Sequence, residues 1–261
     1  MELNHIKHIG IAAALKGGRV LYDYLGNICH INKKGPLDLV TEADTGSEKE
    51  ILKIICSHFP DHSILAEESG ANQVKSDYQW IIDPLDGTTN FAHQVPFFSV
   101  SIAFAIKGNI AAGIVFNPVT RELFTAVQGQ GAELNGRAIK VSASQNLSES
   151  LLVTGFPYNF KEIFDLVISR FSRCLKASQG VRRLGSASLD LCYVACGRFD
   201  GFWEQNLKPW DTGAGFLIAK EAGAVITDFS GNPFSINMNE ILASNGNIHK
   251  EMISLLQIED I

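Results

Sequence analysis

One twelve-residue segment, Trp80-Ile81-Ile82-Asp83-Pro84-Leu85-Asp86-Gly87-Thr88-Thr89-Asn90-Phe91, constrains the fold of this chain more than any other. The short apolar run from Tyr78 to Ile82 predicts a buried strand that delivers Asp83 at its end. Pro84 fixes φ and removes a donor, and Gly87 permits a tight bend that brings Asp86 back beside Asp83. Two carboxylates about 4 Å apart repel by roughly 4 kcal/mol at an effective dielectric of about 20, so the arrangement demands raised pKa values or a cation. A hard divalent metal is the simpler answer. On its own a D-P-x-D-G string is more often a solvated turn, but other acids stand at element ends as well. Glu67-Glu68 closes a predicted strand, Ser63 to Ala66. Asp44 lies in the first turn of a helix that opens on Thr41 and Asp44 as a capping pattern before Ile51, Leu52 and Ile55. Asp211 follows Trp210 just before a predicted helix from Thr212 to Glu221. Carboxylates so placed suit an oxygen-ligand Mg²⁺ site.

The rest of the chain frames that segment. Apolar residues at helical spacing predict an opening helix from Glu2 to about Asn27, and a polar loop follows from Asn32 to Leu37. From Phe97 to Val127 three apolar bursts broken by Lys107-Gly108-Asn109 and Asn117-Pro118-Val119-Thr120 read as an antiparallel meander. The Gly-rich stretch Gly129 to Gly136 reads as a hairpin rather than a phosphate loop, because no Lys-Ser and no long helix follows it. Past Ser150 strands and helices alternate: Leu151 to Thr154, Lys161 to Ala177, Val181 to Leu184, Ala187 to Cys196, Asp200 to Glu204, Thr212 to Glu221, strands near Val225 and Leu242, and a helix from Ile248. The expected fold is thus α+β or α/β, with a metal-bearing half over residues 1–146 and a second α/β half over 147–261 that completes one compact unit.

Composition excludes several function classes. With 22 Lys+Arg against 28 Asp+Glu and a net charge of −6, a nucleic-acid coat is not expected. The five cysteines, Cys29, Cys56, Cys174, Cys192 and Cys196, show no metal spacing and read as reduced, buried thiols of a cytoplasmic protein. The apolar runs Ile9 to Leu15 and Val95 to Ile106 are too short for a leader or a membrane span.

The acidic segments together resemble the inositol monophosphatase family of Mg²⁺-dependent, lithium-sensitive phosphatases. The resemblance rests on Asp38-Leu39-Val40-Thr41-Glu42-Ala43-Asp44, Ala66-Glu67-Glu68-Ser69, Trp80 through Phe91, Gly185-Ser186-Ala187, and Glu204 with Pro209-Trp210-Asp211. It implies a layered αβαβα sandwich of the type shared with fructose-1,6-bisphosphatase, assembled as a homodimer. It further implies that Glu67, Asp83 and the Leu85 carbonyl hold one metal, that Asp83, Asp86 and Asp211 hold a second, and that Glu67 and Glu68 can take a third. Asp44 and Thr88 would orient and deprotonate the attacking water, and amides around Gly87 and Thr88 would grip the phosphate. Glu204 and Ala187 would meet the hydroxyls of the substrate, most simply myo-inositol 1-phosphate.

Around that substrate the alternatives stay open. Asp190 reads equally well as an exposed or capping acid and as a ring contact. Arg182 and Arg183 could clamp a second phosphate, but strand alternation lets at most one face the site, and surface or dimer-contact arginines are the better reading. His93 is left out because the metal set is complete without it. Sister phosphatases acting on fructose 1,6-bisphosphate, histidinol phosphate or adenosine bisphosphate would differ around Tyr158, Arg182, Arg183 and Glu204. A regulatory protein that binds the transcription machinery is the alternative of another class.

Overall fold

The computed structural model describes residues 3–26, 31–33 and 39–258. Ile6, Gly10, Ala13, Gly17 and Leu21 recur every three or four residues and form the buried stripe of α1, Leu3–Tyr24. Two short strands, β1 (Ile31–Lys33) and β2 (Leu39–Thr41), pair antiparallel where the sequence predicts a loop from Asn32. Residues 34–37 of that loop, Asp38 of the first motif and Cys29 lie outside the described residues. α2 (Glu42–His58) starts directly after Thr41, and β3 (Ser63–Ala66) ends at the predicted acids. β4 (Gly70–Ala71) doubles back on β3, and β5 runs from Tyr78 to Asp86, well past the predicted end at Ile82. A short α3 (Thr88–Ala92) follows.

The meander is present as β6 (Ser99–Ile106), β7 (Asn109–Asn117) and β8 (Glu122–Val127), and the Gly-rich stretch is the hairpin of β9 (Ala132–Leu134) and β10 (Arg137–Ile139). The alternating part comprises β11 (Leu151–Thr154), α4 (Phe164–Ala177), β12 (Gly180–Arg182), α5 (Ala187–Ala195) and β13 (Gly201–Gln205). It closes with α6 (Pro209–Glu221), β14 (Val225–Thr227), β15 (Glu240–Ser244) and α7 (His249–Leu256). Two boundaries differ in ways that matter for the site. α6 begins at Pro209, whose missing N–H costs nothing in a first turn, so Asp211 stands inside the helix rather than ahead of it. β12 ends at Arg182, which leaves Arg183 beyond the strand.

One sheet has the order β10-β9-β8-β7-β6-β5-β3-β4, with only β3 and β5 parallel; the other has the order β12-β11-β13-β15-β14. α1 and α2 cover one face of the larger sheet and α6 packs on its other face; α5 lies beside α6 and also touches β11, β13 and β15, while α4 and α7 close the outside of the smaller sheet. The layers therefore run helix, sheet, helix, sheet, helix, the αβαβα sandwich that the resemblance implies. α5 is buried on every side except at Tyr193, as a helix between two sheets must be. Trp80, Phe98, Phe104 and Ile114 fill the layer under α1 and α2, and Phe124, Leu189, Ala214 and Leu217 fill the layer under α5 and α6.

No helix among the described residues is long and apolar enough to cross a membrane. The described cysteines are free, but Cys56 is exposed and Cys196 half-buried, where burial was expected. Burial pushes the Cys174 thiol up to about 12, away from the reactive range.

Candidate active site

The central segment builds its carboxylate pair through a bulge. Asp83 pairs with Ser101 and Asp86 with Ser99, so three steps along β5 match two along β6. In an unbroken strand residues three apart point to opposite faces. The extra residue restores Asp83 and Asp86 to one face, and Pro84, which has no N–H for the ladder, sits where the pairing lapses. Asp83 Oδ1 accepts the Leu85 N–H at 2.9 Å. The sequence expectation gave this work to a bend at Gly87. Gly87 instead ends the strand, at φ 98°, where a Cβ would stand 3.1 Å from the carbonyl oxygens of both Phe97 and Gly185.

The first turns of α2 serve the same segment. Asp44, Ser47 and Glu48 are buried at the polar end of a stripe that continues with Ile51 and Ile55. Thr88 Oγ1 lies 3.1 Å from Asp44 Oδ1 and 3.0 Å from the Leu85 carbonyl oxygen. Ser47 Oγ donates to the Pro84 carbonyl at 3.0 Å. Glu48 accepts the N–H groups of Glu68 and Ser69 at 3.0 and 2.9 Å. The Glu67 N–H donates to the Ile82 carbonyl at 3.1 Å, which ties Glu67 to β5 just past the last β3 pair.

The second half of the chain supplies two helix N-termini. Asp86 Oδ2 accepts Ser186 Oγ at 2.7 Å, the Ser188 N–H at 2.8 Å and Ser188 Oγ at 2.6 Å, so it caps the start of α5. Asp211 Oδ2 accepts the Lys208 N–H at 2.6 Å within the first turn of α6. The β6 serines opposite the two aspartates dock these same helices. Ser99 Oγ lies 2.8 Å from Ser188 Oγ, and Ser101 Oγ donates to the Trp210 carbonyl at 3.2 Å. Glu204 projects from β13 with its carboxylate over Gly155, where an added Cβ would approach Oε2 to 2.1 Å, so a side chain there would displace the Glu204 carboxylate. Ser99, Ser101, Ser188, Glu48 and Gly155 escaped the sequence reading. Two serines at period two in the apolar run from Ser99 to Ile106 were the available signal.

These side chains surround a cavity of about 430 Å³ that Glu67, Asp83, Leu85, Asp86, Gly87, Thr88, Ala187, Glu204 and Asp211 all line. Asp44 lies behind Thr88, and Glu68 is not part of the wall. Asp190 is neither exposed nor a cap: it is fully buried, outside the lining, and neither carboxylate oxygen has a hydrogen-bond partner. Arg182 and Arg183 are both at the surface, as expected, but Arg183 also lines the cavity, whereas Arg182 donates to the Val181 carbonyl. Tyr158 lines the outer wall.

Charge is concentrated here. Burial, then the charges of Glu67, Asp86 and Asp211 and a hydrogen bond with Glu67, hold Asp83 well above the usual carboxylate range. Burial and the Asp86 charge do the same for Asp211. For Asp86 burial outweighs the donors of Ser186, Ala187 and Ser188. Glu204 is pushed up to about 8 by burial, with Arg183 opposing and Asp86 reinforcing the rise. Asp190 is raised well above its ordinary value by burial first and then by Glu204 and Asp86. An all-oxygen donor set whose members repel one another fits a hard divalent cation, which would reverse that repulsion. Among the described residues no three acidic, His or Cys side chains already stand around one ion-sized point; N–H, O–H and carboxyl partners meet these carboxylates instead.

The chain is similar to known proteins over most of its length. A model of the inositol monophosphatase family matches residues 2–260. The chain is 46% identical over 250 residues to an inositol-1-monophosphatase from Synechocystis, covering 95% of this chain and 87% of that one. It is 41% identical over 259 residues to a Nus factor SuhB from Pasteurella multocida, covering 98% and 97%. The solved inositol monophosphatase of Anabaena superposes with a TM-score of 0.89 at 46% identity, covering 98% of this chain and 96% of that one.

Proposed function

The chain belongs to the inositol monophosphatase family, and from that membership we propose that it is a Mg²⁺-dependent phosphatase that hydrolyses myo-inositol 1-phosphate to myo-inositol and phosphate. The observation that carries the proposal is the shared wall of Asp83, Asp86, Asp211 and Glu67 with the Thr88–Asp44 pair at its edge and Glu204 on the same cavity. Glu67, Asp83 and the Leu85 carbonyl would hold one Mg²⁺, and Asp83, Asp86 and Asp211 a second; Glu67 and Glu68 are candidates for a third. Bound Mg²⁺ supplies positive charge against the phosphate and the carboxylates and acidifies water at neutral pH.

The protein's own groups have separable tasks. Thr88 donates its hydroxyl proton to Asp44, which frees the Thr88 oxygen to accept a proton from water and aim that water at phosphorus. Backbone N–H groups at Gly87 and Thr88 bind the phosphate oxygens. Glu204 and Ala187 hold the polyol so that its leaving oxygen lies opposite the water, which turns binding energy into alignment. No side chain needs to become covalently phosphorylated, because water reaches the phosphate directly. The same reading carries lithium inhibition, a homodimer and a cytoplasmic setting.

A second reading follows from the relatives named Nus factor SuhB: a regulatory role, exercised through protein contacts rather than turnover. One experiment tests both. Phosphate release is measured from inositol 1-phosphate, fructose 1,6-bisphosphate, histidinol phosphate and adenosine 3′,5′-bisphosphate, with Mg²⁺ or with a chelator, for the wild type and Asp86→Asn. The proposal expects inositol 1-phosphate to rank first, and both the chelator and Asp86→Asn to abolish release. Release that persists in chelator would refute it, and another leading substrate would replace the leaving group.

A further inference from the structure

Glu48 is a buried acid with no part in the chemistry set out above. Its side chain is only 4% exposed, yet it sits one helical turn past Asp44 on α2 and accepts two consecutive backbone N–H groups, those of Glu68 and Ser69. The residue just before that pair is Glu67, whose own N–H is fixed to Ile82 of β5 and whose carboxyl meets Asp83. Glu67 is therefore pinned on one side by the sheet and on the other by a two-pronged carboxylate.

We propose that Glu48 is a positioning residue for the metal centre: by clamping the turn after β3 it fixes where Glu67 presents its carboxylate. The inference rests on the functional reading above, since it assumes that Glu67 is a ligand. The physical reason is that a carboxylate on a loose turn loses conformational freedom each time a cation binds, whereas one on a clamped turn has already lost it. A second carboxylate clamp gives a matched control. Glu221 of α6 accepts the N–H groups of Gly129 and Gly131, both at 2.9 Å, in a turn outside the cavity lining.

The test is calorimetric titration of the full chain with Mg²⁺ alone, without substrate, alongside thermal denaturation in chelator. Glu48→Ala is expected to raise the Kd for Mg²⁺ about tenfold or more. Glu48→Gln keeps the shape and one acceptor oxygen, and its Kd should fall between those of wild type and Glu48→Ala. Glu221→Ala should lower the melting temperature while Mg²⁺ binds as in wild type. If Glu48→Ala does not fold, Glu48→Gln against Glu221→Ala decides. Glu48 variants that melt lower but bind Mg²⁺ like wild type would reduce Glu48 to a stability role and overturn the inference. A wild type that binds no Mg²⁺ would overturn the functional reading, and this inference with it.

Discussion

Thr88 has one hydroxyl proton and two acceptors within reach, Asp44 Oδ1 and the Leu85 carbonyl. In the proposed reaction the choice of acceptor decides whether Thr88 could relay a proton from water to an acid. When ionised, the Asp44 carboxylate is the stronger acceptor, because charge-assisted hydrogen bonds are roughly twice as strong as neutral ones. Thr88→Val keeps the branched shape and removes the relay, so phosphate release should fall by about 10²- to 10⁴-fold with the melting temperature nearly unchanged. Thr88→Ser keeps the hydroxyl and should stay within about tenfold of wild type. Equal rates in the two variants would remove Thr88 from the reaction. At this scale the acids were legible in the sequence: Asp44, Glu67, Asp83, Asp86 and Asp211 each stand at the end of an apolar pattern, where burying a charge without a purpose costs too much to be common. The serines under them were not, because a hydroxyl in an apolar run is satisfied in many ways that have no bearing on a site. Gly155 was hidden for the opposite reason: the room it leaves is taken by the Glu204 carboxylate, 49 residues away, and nothing in its own neighbourhood marks it.

At the scale of elements the site is a junction of one strand pair with three helix starts. β5 brings the two aspartates to one face, and β6 carries the serines that seat α5 and α6 against them. The existence and order of the longer helices could be read from apolar spacing, whereas the short α3 and the course of β5 could not. A strand that passes through Pro84 and ends at Asp86 runs against local strand preference past Ile82, and its pairing with β6 carries it through that stretch. Pro209 was a legible start signal for α6 that the apolar pattern, which begins later, obscured. The junction predicts how Ser188→Ala behaves. That change removes one hydroxyl shared between Asp86 and Ser99, and a hydrogen bond to a charged group contributes about 1.5–3 kcal/mol. The denaturant midpoint should fall by a corresponding amount, and kcat/KM should drop because Asp86 loses part of its orientation. A variant of unchanged activity would mean that the Ser188 N–H and Ser186 Oγ suffice to hold Asp86.

For the whole molecule the five layers set a conflict between stability and function that can be measured. The sandwich brings carboxylates from both sheets and from α6 into one cavity, and burial holds Asp83 and Asp211 there, and Asp190 outside its lining, well above their ordinary range and Glu204 at about 8. In the unfolded chain the same groups titrate near pH 4. Between those limits the folded protein holds more protons than the unfolded one, so stability without metal is fully present at the acid end and is lost as pH rises through the folded-state values. His249, pushed below 6.5 by burial, acts in the opposite sense but only below that pH, which leaves the interval from 6.5 to 8 to the carboxylates. In chelator the melting temperature should therefore fall across that interval. If the proposed function holds, Mg²⁺ would compete with the same protons and bind the folded chain alone, so its stabilising shift should grow with pH over the same range. Asp211→Asn removes one repelling charge: it should melt higher than wild type in chelator at pH about 8, respond less to Mg²⁺, and turn over no substrate. A chelated wild type that grows more stable toward pH 8 would mean that these carboxylates are already compensated within the protein, and the argument for a cation among them would lose its physical ground.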